Sequence, residues 1–93
     1  MNDATETLSI KALTFIVERE DLLEIFVDAC GVSLNELYEE ADRPETWAAM
    51  LDFILSMDEI ILDFCDATQY TLQDLWRARN DLPGAPANNF TST

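Results

Sequence analysis

Apolar residues recur along this chain at helical spacing. Leu22, Leu23, Phe26, Val27 and Cys30 fall on one stripe, and Ile60, Ile61, Phe64 and Cys65 on a second. The opposite faces carry Asp21, Glu24, Asp28 and Glu59, Asp63, Asp66, so carboxylates line the outside of both segments. Strand signals are missing: β-branched residues are scattered, no four-residue run alternates cleanly, and no Asn-Gly or Asp-Gly hairpin turn occurs. The pattern predicts an all-α fold, a compact bundle of six short helices near 6–18, 21–30, 34–42, 44–57, 59–68 and 72–80.

The helical pattern is written twice. Residues 12–42 align without a gap onto 50–80, with identities at Leu13/Leu51, Phe15/Phe53, Ile16/Ile54, Phe26/Phe64, Asp28/Asp66, Ala29/Ala67, Leu34/Leu72 and Leu37/Leu75. Average composition gives about two such matches by chance. Two pseudo-symmetric three-helix repeats, about 6–42 and 44–80, are therefore expected, each shielding the apolar face of the other.

Local capping chemistry punctuates the repeats. Ser33-Leu34-Asn35-Glu36 and Thr71-Leu72-Gln73-Asp74 both read as capping boxes, the aspartate version being the shorter and weaker. Pro44 suits the first position of the fourth helix, with Glu45 in its first turn. Gly31 offers a left-handed helix end, while its mate is Gln69 and implies either a different bend or a small strain. Residues 1–5 are polar and expected to be loose, the folded part spans 6–82, and Pro83 through Thr93 reads as a disordered tail. Trp47, Trp76, Tyr38 and Tyr70 are expected to fill the seams between the halves.

Composition narrows the function classes. The net charge of −14 repels nucleic acid phosphates and anionic lipid, so direct binding to either is not expected, and a partner should present a basic surface. Histidine is absent, which removes the commonest proton-transfer group and metal ligand. Cys30 and Cys65 lack a C-x-x-C spacing and a basic neighbour, and read as buried free thiols. No basic segment followed by an apolar run opens the chain, so a cytoplasmic protein is expected and the Asn89-Phe90-Thr91 sequon is incidental.

With Leu51-Asp52-Phe53-Ile54-Leu55, the acidic start Asp58-Glu59, Ile61-Leu62-Asp63-Phe64 and the close Ala78-Arg79-Asn80-Asp81-Leu82-Pro83-Gly84 in view, the chain resembles a family of small alphaproteobacterial proteins catalogued as a domain of unknown function. The resemblance runs from about Ala12 to Gly84. It implies a small soluble helical protein of the bacterial cytoplasm, with no known activity, catalytic residue or cofactor. The present chain is bulkier and more acidic than the alanine-rich family pattern.

Three functional readings differ in what they require. The carboxylate pairs Glu36-x-x-Glu39 and Asp63-x-x-Asp66 loosely resemble the metal-binding pattern of all-helical nucleotide pyrophosphohydrolases, which would require the four acids to converge on Mg²⁺. Repeat symmetry argues against that pairing, because Asp63 aligns with Ile25 and Glu39 with Arg77. A nucleic-acid mimic would use Asp21, Glu24, Asp28, Glu59, Asp63 and Asp66 as phosphate substitutes. The favoured reading rests on where the copies diverge: Glu39-Glu40-Ala41-Asp42 becomes Arg77-Ala78-Arg79-Asn80. Acids at a helix C-terminus oppose the helix dipole, so the first copy keeps a locally unfavourable arrangement. The bland explanation of these acids is a solvated face kept for solubility; the sharper one, taken forward, is that Glu36, Glu39, Glu40, Asp42 and Glu45 form an acidic patch for a basic protein partner, in a regulatory or interaction module without catalytic activity, metal or cofactor. Self-association through Arg77 and Arg79 is the remaining option.

Overall fold

The computed structural model describes residues 3–84, which form six helices and no strand: α1 (Asp3–Val17), α2 (Glu20–Cys30), α3 (Leu34–Glu39), α4 (Pro44–Leu55), α5 (Asp58–Thr68) and α6 (Leu72–Asn80). None of these helices is long and apolar enough to cross a membrane. The expected disordered tail falls, from residue 85 onward, outside the described residues. Helix α1 starts at Asp3, earlier than the expected residue 6. Asp3 and Glu6 favour its first turn, and Thr5 is already buried.

Helices α1 and α4 pack along each other at the centre. The buried residues Leu8, Ala12, Phe15 and Ile16 of α1 follow an i, i+4, i+7, i+8 stripe that meets Trp47, Ala48, Met50, Leu51, Phe53 and Ile54 of α4 in one core. Around this pair lie α2 against α1, α5 against α4, and α6 against both. Helix α3 packs less extensively than α6. It is also shorter, ending at Glu39 where the pattern had suggested 42. Its acidic end opposes the helix dipole and Arg43 precedes a proline, whereas α6 carries Arg77 and Arg79 in its last turn and continues to Asn80.

Two local features recur at aligned positions. Both capping boxes form, with Ser33 N donating to Glu36 Oε1 at 3.0 Å and Thr71 N donating to Asp74 Oδ2 at 3.0 Å. The aspartate box is therefore as closely closed as the glutamate one. Helices α2 and α5 both end left-handed, at Gly31 with φ 69° and at Gln69 with φ 70°. The second end thus keeps the bend and takes the strain, offset by Gln69 Nε2 donating to the carbonyl of Asp66 at 2.8 Å.

Phenylalanine pairs add ring contacts between the halves to the aromatic residues expected there. Phe15 meets Phe64 edge-on at 5.3 Å, and Phe53 meets Phe26 at 5.4 Å, so each ring touches the aligned mate of the other pair's partner. Tyr70 stacks on Phe64, and buried Trp47 donates its indole N–H to the carbonyl of Ala41 at 2.7 Å. Tyr38 is exposed instead of filling a seam.

The close of the fold is a buried cation. Arg79, its side chain 4% exposed, donates Nε to Asp52 Oδ1 at 2.6 Å and Nη2 to Asp52 Oδ2 at 3.1 Å. Two of its other N–H groups reach the carbonyls of Pro83 at 3.1 Å and Gly84 at 2.8 Å, which folds the chain back and leaves Leu82 buried.

Candidate functional site

The five acids singled out from the sequence lie on α3, the turn after it and the first turn of α4, and all are exposed. Glu36, Glu40 and Glu45 border one cavity of about 170 Å³ between α2, α3 and α4. Its floor is apolar, formed by buried Phe26 and Leu37 with half-buried Val32 and Ala49, and Cys30 stands at its wall. Asp42 borders a second, shallower depression with Glu6, Ile10, Ala41 and Trp47. Glu39 lines neither.

Local sequence explains this geometry. The capping box fixes Glu36 at the start of α3, and the early end of that helix puts Glu40 in the turn. Pro44 then starts α4 so that Glu45 occupies its first turn. Because α3 is short and lightly packed, the apolar surface it would otherwise cover stays open.

The other groupings disperse. Among the described residues no group of three or more His, Cys, Asp or Glu side chains is arranged to hold a metal ion, so Glu36, Glu39, Asp63 and Asp66 do not converge. Asp63 instead accepts from Arg19 Nη1 at 3.0 Å, and Asp21 lies 3.7 Å from Arg19 Nη2. The hydrogen bond to Asp63 raises the Arg19 pKa further above its ordinary value. Arg19 thus ties one acidic row to the other, and Leu62, 69% exposed, interrupts the acidic face of α5. Arg79 is buried on Asp52, which leaves Arg77 alone of the two as a cation for contact between copies.

Both cysteines are free, but neither is buried: Cys30 is exposed and Cys65 half-buried. Partial desolvation still raises both thiol pKa values, with Asp74 adding to the effect at Cys65.

A profile described as protein of unknown function (DUF3572) matches residues 2–85. The chain belongs to the DUF3572 family. No curated protein and no solved structure matches it. Within this DUF3572 chain, sequence reasoning located the acids but missed the cavity that three of them border, which lies over core residues Phe26 and Leu37 where α2, α3 and α4 meet. The signal was the unfavourable acidic end of α3, which shortens the helix. It also missed the Arg79–Asp52 pair, although Arg79 follows Leu72 and Leu75 at an i, i+3, i+7 register.

Proposed function

We propose that this protein is a small interaction or regulatory module of the bacterial cytoplasm, of alphaproteobacterial origin, that docks a basic protein surface on the face formed by α2, α3 and α4. One observation carries the reading: three of the five acids chosen from sequence, Glu36, Glu40 and Glu45, border an open apolar cavity. An apolar floor supplies burial on binding, and a charged border supplies orientation and steers encounter. Two three-helix units related by an approximate twofold provide the scaffold, a view supported by the reciprocal Phe15–Phe64 and Phe53–Phe26 contacts. Divergence between α3 and its counterpart α6 then gives the docking face, which lies where α3 of the first unit meets α4 of the second.

The test is affinity capture from native lysate with the wild-type protein and with Glu39→Lys/Glu40→Lys as baits. The reading expects proteins recovered by the wild type to be lost with the charge-reversed bait and to elute early with salt. Identical recovery by both baits would overturn it.

A further inference from the structure

We propose that the cavity between α2, α3 and α4 receives one long cationic side chain, an arginine or lysine presented by a basic partner segment; this deepens the docking proposal above and rests on it. Size is the first argument. A space of about 170 Å³ holds a single large side chain and not a helix face, comparable to an engineered ~150 Å³ apolar cavity that takes up one benzene. Chemistry is the second. The accessible apolar surface is supplied by half-buried Val32 and Ala49 with exposed Cys30, over buried Phe26 and Leu37, and the border by three carboxylates, Glu36, Glu40 and Glu45. A purely aliphatic anchor would leave that border unmatched, and a small cation would leave the floor wet. A lysine or arginine satisfies both, because its methylene stem packs on apolar surface while its head remains at the polar edge. The nearest basic residue in sequence, Arg43, does not line the cavity and makes none of the ion pairs seen among the described residues.

The cavity contains its own reporter. Cys30 lines it and is exposed, whereas Cys65 lies elsewhere on α5, so alkylation of the two thiols compares occupied and unoccupied surfaces in one molecule. The probe is a synthetic helical peptide with lysines on one face and a single central arginine, together with versions carrying lysine, norleucine or citrulline at the centre. At about ten times the dissociation constant, Cys30 alkylation should slow about tenfold with the arginine and lysine peptides, while Cys65 keeps its rate. The norleucine and citrulline peptides should protect far less. Glu36→Gln/Glu40→Gln/Glu45→Gln should weaken the affinity by about tenfold or more, the summed effect of three exposed charge contacts, so that at the same peptide concentration protection falls from about tenfold to about twofold or less. Glutamine at position 36 retains the capping box, so this variant keeps its helix start. Equal protection by the neutral peptides, or none by any peptide, overturns the anchor. Unchanged capture by the charge-reversed bait defeats the docking reading itself, whereas lost capture without Cys30 protection defeats only the anchor.

Discussion

Neutralising Asp52 should damage this protein more than removing the arginine it holds. Arg79 makes two hydrogen bonds to Asp52 and two to backbone carbonyls from a side chain that is 4% exposed, whereas the Asp52 side chain is 47% exposed. Asp52→Asn leaves a guanidinium buried with only the carbonyls of Pro83 and Gly84 against its charge. Breaking one side of a buried pair costs about 3–5 kcal/mol, and solvent access to the Asp52 side lowers this to about 2–3 kcal/mol. For a domain of this size that loss lowers Tm by about 10–20 °C. Arg79→Met replaces the cation with an apolar chain of similar reach and lets Asp52 and both carbonyls hydrate, at a cost of about 1–2 kcal/mol. The double variant should therefore be more stable than Asp52→Asn alone. Urea unfolding followed by tryptophan fluorescence of the four proteins measures each term. If Asp52→Asn unfolds within about 0.5 kcal/mol of wild type, or if the two costs simply add, the buried-cation argument is wrong.

Three further variants probe the helix ends and the core. Gln69→Gly should raise stability by about 0.5–1 kcal/mol by removing left-handed strain, net of the lost Asp66 contact, whereas Gly31→Ala should lower it by about 1 kcal/mol. No atom crowds a Cβ at Gly31, so that loss reports φ alone, and thermal melts of the pair check both signs. Ser9 Oγ is buried on α1 without a hydrogen-bond partner among the described residues. Ser9→Ala should therefore stabilise by about 1 kcal/mol, seen as a Tm rise of about 4–8 °C in calorimetry.

Much of the fold was legible because local rules and the hydrophobic period agreed. Six helices, both capping boxes and the turn at Gly31 followed from residue type and spacing. Departures came where tertiary context decides. Cys30 sits on the apolar stripe of α2, yet it is exposed because lightly packed α3 leaves that end of the stripe open. Tyr38 aligns with half-buried Trp76 but stands in solvent on the same short helix. At Arg79 a charge occupies a core register because its partner, Asp52, is twenty-seven positions away in sequence, a pairing that no local pattern shows. The acids at 36, 40 and 45 were visible as charges, but the cavity between them depends on how three helices meet.

The most direct measurement of the docking claim is a backbone amide shift map of the isotopically labelled protein titrated with the arginine-centred basic peptide. The account predicts the largest changes at Val32, Leu37, Glu40 and Ala49. Changes concentrated instead at Tyr70, Asp74 and Ala78, which line a separate cavity beside α1 and α6, would contradict it.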